Sequence, residues 1–352
     1  MIETEKTKPA RVGRYRRDRS IGDVDPLAQR IWDSVSRTPL RNLWDFEGVP
    51  VRVVMQRTLK AFLDDNLLSR AAELGYYFLF ALFPTLVCAS AILGLAARST
   101  SLLYLHLLDY LSLVIPRSAF AVVLDTFNQT TAASTSGKIT LGLVAALWSA
   151  SVGFSSIQDG MNTVYKVRET RPYFKARGSA ILVTILLAAI VTLNLTTLLI
   201  GDYAARSVRR VIWHSWLASA AAGALHAVSW TVACVLLMLL FSTIYYFAPD
   251  LKTRCWQWFT PGAAIGILGW VAASLGLRIY LHYFNTFSIT YGSLGAVIIL
   301  LTWFYITGLM LLAGAEINAE IAAAVAEKKL KAEGAVPAEA TTDVQHPIVA
   351  AS

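Results

Sequence analysis

Glu316 and Glu320 close an uncharged run that begins at Gly292. Four residues apart, they share one face of a helix, while Asn318 between them points elsewhere. Carboxylates at the end of such a run either bind protons or a polar head group, or close ion pairs in a structural belt. Glu73, at the start of the first apolar run, and Asp159, at the end of the second, fall at the same depth. Arg70, Lys166, Arg168 and Lys328 are the cations that a belt would use. At the opposite depth, Arg278 stands in the fifth run with His282 one turn on, and Asp202 ends the third. Arg278 has three readings: it snorkels outward, it pairs with Asp202, or it holds an anionic group. Glu73, Asp159, Glu316, Glu320, Arg278 and Asp202 are therefore the candidate substrate or proton pathway.

The elements that must position these groups are membrane helices. The chain has 352 residues, of which 56% are hydrophobic and 15% charged. A soluble domain carries roughly 25% charged residues, so this composition belongs in a bilayer. The net charge of +8 comes from basic residues in the tails and short loops, which is a topology signal and not a nucleic-acid footprint. About 20 apolar residues at 1.5 Å rise cross a ~30 Å hydrocarbon core. Six spans are expected, near 71–97, 139–160, 178–201, 221–248, 259–283 and 292–321. Leu102 to Ile115 contains His106 and Asp109 and stops at Pro116, too short for a comfortable span. It reads as an interfacial or re-entrant helix, followed by a second amphipathic helix near Phe120–Phe127; the alternative is a seventh span. With six spans, the basic clusters at the N-terminus, Lys166–Arg177, Lys252–Arg254 and Lys328–Lys331 all fall on one side. The basic excess marks that side as cytoplasmic and puts both termini there. A seventh span would move the Lys166–Arg177 cluster across and weaken the asymmetry.

Residues 1–50 read as a disordered basic cytoplasmic tail. Its cluster Arg11, Arg14, Arg16, Arg17 and Arg19 either attracts anionic lipid head groups or only enforces orientation. Residues 51–63 form an amphipathic helix, with Val51, Val54, Met55, Leu59, Phe62 and Leu63 on one face and Arg52, Arg57 and Lys60 on the other. Such a helix lies in the membrane interface. The membrane domain runs over 51–325, and 326–352 reads as a second disordered tail. Gly262 and Gly266, continued by Gly269, Ala273 and Gly276, and the stripe Ala145, Ser149, Gly153 are close-packing signals. Pro84 frees a backbone carbonyl in the first span and is expected to kink it. Cys88, Cys234 and Cys255 form no CxxC pair and read as small packing residues. No metal-ligand spacing, catalytic motif, cofactor loop or ATP-binding module is present, so no cofactor and no nucleic-acid partner are expected. Transport would then be passive, ion-coupled or driven by a partner; a homo-oligomer stays open.

Three blocks carry a family resemblance. They are AAELGYYFLFALFP at 71–84, MNTVYKVRETRPYFKAR at 161–177, and YFAPD at 246–250 leading to YGSLGAV (291–297) and GAEINAE (314–320). Over roughly 55–325 the chain resembles the YihY/virulence factor BrkB family of bacterial inner-membrane proteins. The resemblance implies an all-α, six-span inner-membrane fold. Some members once carried a ribonuclease label, and others are linked to serum resistance and to lipid or lipopolysaccharide movement. It therefore implies export of an amphipathic envelope component, with a non-transporting envelope scaffold as the alternative. A nuclease would need a soluble acidic or histidine cluster to hold its metal ions. The acids here sit at membrane boundaries, so no enzyme is expected.

Overall fold

The computed structural model describes residues 26–38, 42–97, 125, 136–211, 215–283 and 293–332. Every regular element among them is an α-helix. In chain order they are α1 (Pro26–Arg37), α2 (Val51–Asp64), α3 (Leu67–Ala97), α4 (Ser136–Val164), α5 (Tyr173–Val211), α6 (Ser215–Phe247), α7 (Pro261–Tyr283) and α8 (Ser293–Ala332). Four of these are long and apolar enough to cross a bilayer: Tyr173–Arg210, Trp216–Phe247, Pro261–Tyr283 and Leu294–Ala332. α3 and α4 stand where the first two spans are expected. The expected helices between 102 and 134, the arginine cluster of the N-terminus, the side chain of Pro84 and residues 333–352 lie outside the described residues.

α8 is the organising element, touching α3, α7, α2, α1 and α4. Its 40 residues reach about 60 Å, twice what the hydrocarbon core needs. The surplus, from Leu311 to Ala326, is almost entirely buried. Around it pack Phe154, Ile157 and Met161 of α4 and Phe241, Ile244 and Tyr245 of α6. The long apolar helices turn the rest of their surface outward, as Leu182 and Ile185 of α5, Val228 and Trp230 of α6 and Leu268 of α7 show. Exposed apolar surface on this scale suits lipid and not water.

Small residues set the closest approaches. On α7 a side chain at Gly262 would strike the Gly314 carbonyl, and one at Gly266 would come within 3.1 Å of the Met310 carbonyl. Gly269 faces the Met310 sulfur. On α4, Gly153 lies against Phe78 and Tyr77 of α3 and Ser149 is buried. Ala145 is exposed, so that stripe stops one turn earlier than expected. Cys234, read as a packing residue, is also exposed on α6.

Two tail boundaries differ from the expectation. Residues 26–37, assigned to the N-terminal tail, form α1. Leu27, Ile31, Trp32 and Val35 recur on one helical face and are buried in the core. Ser36 and Asp33 then clamp the loop after α6: the Thr253 amide donates to the Ser36 carbonyl at 3.0 Å, and Lys252 pairs with Asp33 at 2.7 Å. At the other end α8 continues to Ala332, because Glu327 is held by Arg57 at 2.5 Å and by Lys331 at 2.6 Å.

α2 departs from its expected faces as well. Val54 and Ala61 enter the core, and Arg57 reaches inward beside them. Val51, Met55, Leu59 and Leu63, one residue per turn, face outward. The helix thus presents one stripe to α8 and a second apolar stripe to its surroundings.

Candidate functional site

The four boundary acids separate into two pairs. Glu316 and Glu320 are wholly buried inside the helical core. Glu73 and Asp159 are exposed, within each other's electrostatic field, and Glu73 meets Arg70 at 3.6 Å. A single polar layer of four acids is therefore not what the fold builds.

Two junctions deliver the groups that face the buried pair. α2 ends at Asp64, and Asp65 follows as its cap. α4 ends in a left-handed turn: the Lys166 amide donates to the Thr163 carbonyl at 3.1 Å, and the Val167 amide to the Asn162 carbonyl at 3.0 Å. This pair of bonds is a Schellman motif, whose positive-φ position usually holds glycine. Here it holds Lys166, at φ 53°. The turn aims the ammonium inward, where it pairs with Asp65; the two side chains are 2% and 9% exposed. Burial pushes the Asp65 carboxyl above its usual range, even against the facing ammonium.

Glu316 lies in the field of Asp65, Lys166 and Glu320. Glu320 lies in that of Arg57, Lys166, Asp65 and Glu327. Asp65 consumes the charge of Lys166, and Glu327 takes both Arg57 and Lys331. Neither oxygen of Glu316 meets a hydrogen-bond donor among the described residues. A sealed carboxylate of this kind is costly as an anion, and a proton or a cation removes that cost.

Asn318 does point elsewhere, and its amide is engaged at both ends. Its Oδ1 accepts from the Gly262 amide at 2.9 Å and its Nδ2 donates to Thr260 Oγ1 at 3.0 Å. Thr260 caps α7 through the Ala263 amide, with Pro261 in the first helical position. Beside this junction is a partly open cavity of about 70 Å³ whose wall includes Tyr165, Ser242, Gln257, Thr260 and Asn318. Val35 and Leu43 from the N-terminal segment also line it, as does Cys255.

The second polar layer does not assemble as a pair. Asp202 is held by Arg206 on its own helix at 2.6 Å, and Arg278 is exposed on α7. Lys328, offered as a belt cation, donates to the Glu47 carbonyl.

The sequence reading did not single out Asp65 or Glu327 as part of this site, and it put Arg57 on the face of α2 opposite its apolar one. A signal was available for Glu327: positions 316, 320 and 327 lie on one face of an uninterrupted helix. Tyr165 and Lys166 sit within the quoted 161–177 block, but their inward direction depends on the turn that only the fold reveals.

A tether joins that block to the 246–250 block. Asp250 accepts from the Thr170 amide at 2.8 Å and hydroxyl at 2.6 Å, while Arg171 holds Glu169 through two 2.6 Å contacts. The Asn162 side chain bridges them, donating to Glu169 at 2.9 Å and accepting from the Asp250 amide at 2.8 Å. Burial pulls the Asp250 and Glu169 carboxyls up. The Thr170 donors for Asp250, and Arg171 and Asn162 for Glu169, outweigh it and hold both below the usual range. Depressed acids stabilise the fold above the ordinary carboxylate value near pH ~4 and lose that contribution as pH falls through their lower values. Hydrogen exchange of the Thr170 amide is therefore expected to stay protected near neutrality and to lose protection in acid. Unchanged protection throughout would show that the tether does not depend on these carboxylates.

Residues 58–337 match the family described as Virulence factor BrkB. A Bacillus subtilis (strain 168) protein named as ribonuclease-like, YfkH, is 32% identical over 251 residues, covering 71% of this chain and 88% of its own. A UPF0761 membrane protein of Tolumonas auensis is 26% identical, covering 73% of this chain and 81% of its own. One from Xanthomonas campestris pv. campestris (strain 8004) is 27% identical over 75% of this chain, which spans only 59% of that relative. No solved structure matches. The matched segment contains both glutamates, the Lys166 turn and the four membrane-length helices, and the chain belongs to the virulence factor BrkB family of membrane proteins.

Proposed function

We propose that this chain is a bacterial inner-membrane transporter or flippase-like exporter of an amphipathic or lipid envelope component, with six spans and both termini in the cytoplasm. The observation that carries this reading is Glu316, sealed in the core with no donor at either oxygen among the described residues. A scaffold needs no such group, and a structural belt would have neutralised it. On this topology Glu316 sits at the cytoplasmic end of α8, and the arginine-rich N-terminus is on the side of the membrane where it would meet anionic head groups. Hydrolysis of RNA is not part of the reading, because the acids near Glu316 are buried or held in ion pairs.

Reconstitution tests it. Liposomes containing the protein are expected to move a fluorescent phospholipid between leaflets faster than empty liposomes. Glu316→Gln is expected to lower that rate about tenfold or more, a loss of ~1.4 kcal/mol or more in barrier terms. Movement no faster than in empty liposomes would remove the lipid-transport reading. The second reading, a non-transporting scaffold, draws on the outward stripe Val51, Met55, Leu59 and Leu63 of α2. It predicts that charges placed on this stripe disturb the envelope more than any change at Glu316.

A further inference from the structure

One residue, Tyr165, belongs both to the wall of the cavity beside the α7 cap and to the surroundings of the buried Glu316. Tyr165 lines the cavity and is itself almost wholly buried, and its phenol lies in the electrostatic field of the Glu316 carboxylate. With about 70 Å³ of room the cavity is well above the ~10–15 Å³ needed to admit a water. Ser242, Gln257, Thr260 and Asn318 supply polar groups to water in its wall. This is too small for a lipid head group with its chains, and the right size for a short water file.

A metal cation is a poor occupant of the Glu316 site. Among the described residues no three His, Cys, Asp or Glu side chains converge to hold one. The charges that face Glu316 are Asp65 from the α2–α3 junction, Lys166 from the end of α4 and Glu320 from its own helix. Lys166 is already engaged by Asp65. A single proton on Glu316 removes its buried charge without requiring any further ligand.

We propose that Glu316 is a proton-binding site loaded from the water-sized cavity that Tyr165 lines. In the step, a cavity water gives up one proton to a Glu316 carboxylate oxygen, and the solvent resupplies it; the Tyr165 phenol, which donates to neither Glu316 oxygen, borders the path and does not carry the proton. Tyr165 is left as it began, and the solvent has lost one proton to Glu316. Lys166 is the counter-charge at hand when Glu316 ionises, and moving from Asp65 toward Glu316 would couple proton loss to the α2–α3 junction. As the coupling ion of a transporter, this proton rests on the function proposed above; as a bound proton, it does not.

Infrared spectroscopy of the purified full chain tests the site without any transported substrate. The wild type is expected to show the carbonyl band of a buried carboxylic acid at neutral pH. Glu316→Gln is expected to abolish it, and Glu316→Asp, one methylene shorter, to move it. A band untouched by both variants, or no such band in the wild type, would overturn the proposal. The route is tested through Cys255, a native thiol in the cavity wall, in a background carrying Cys88→Ala and Cys234→Ala. After transfer to heavy water the band is expected to shift, and alkylation of Cys255 to slow that shift about tenfold. An unchanged exchange rate would overturn the route. If the infrared result holds while phospholipid movement fails, the lipid-transport reading falls and the proton site stands; the reverse pattern removes the proton site alone.

Discussion

Lys166→Met is expected to destabilise the folded protein by about 3–5 kcal/mol, the cost of breaking a buried ion pair from one side. The Lys166 side chain is 2% exposed and its ammonium faces Asp65, and Glu316 and Glu320 share its field. Methionine fills much the same volume but leaves Asp65 buried without a cation. The double variant Asp65→Asn with Lys166→Met removes both charges and is expected to recover most of the loss, since replacing an entire buried pair is often neutral. Lys166→Gly separates the charge from the backbone. It relieves a φ of 53° that costs a non-glycine residue roughly 1 kcal/mol, so it is expected to be about 1 kcal/mol less damaging than the methionine variant. Thermal unfolding of the four proteins in one detergent gives all these differences. A neutral Lys166→Met would mean that the ammonium reaches solvent and the buried cluster is not one.

That variant also marks how far the sequence alone could be read. Long apolar runs report their own helices, so the long helices, the acidic end of α8 and the close-packing glycines of α7 were legible. Periodicity told correctly that Glu316 and Glu320 share a face. It could not tell which neighbour would meet that face, because Asp65 and Lys166 arrive from turns, and a turn's direction is set by tertiary packing. Depth was the weaker guide: Glu73 and Asp159 lie near the same boundary as Glu316, yet rotate to the outside of α3 and α4. α1 was lost for another reason. Its apolar face is only four residues, Leu27, Ile31, Trp32 and Val35, next to a run dominated by arginine, and bulk composition outweighed local spacing.

Gly262→Val is expected to cost about 3 kcal/mol or more, whereas Gly276→Ala on the same helix is expected to be neutral or slightly stabilising. Both glycines belong to the stripe of small residues on α7, so the sequence pattern alone assigns them the same role. Around Gly276 a new Cβ meets nothing within 4 Å, and the helix gains from alanine's better propensity. At Gly262 it would run into the Gly314 carbonyl and lie 2.6 Å from the Asn318 Oδ1. Neither obstacle is a side chain free to swing aside: one is backbone, and the other is held by Thr260 and the Gly262 amide. Relief requires α7 to move off α8, which breaks the 2.9 Å bond from the Gly262 amide to Asn318 and strands buried polar groups at about 1–3 kcal/mol. The same movement would open the cavity wall formed by Thr260 and Asn318, which connects the packing of this one glycine to the environment of Glu316. Thermal unfolding checks the energies, and faster alkylation of Cys255 in Gly262→Val than in Gly276→Ala checks the movement. Equal unfolding temperatures for the two variants would show that α7 and α8 do not approach as closely as their glycines allow.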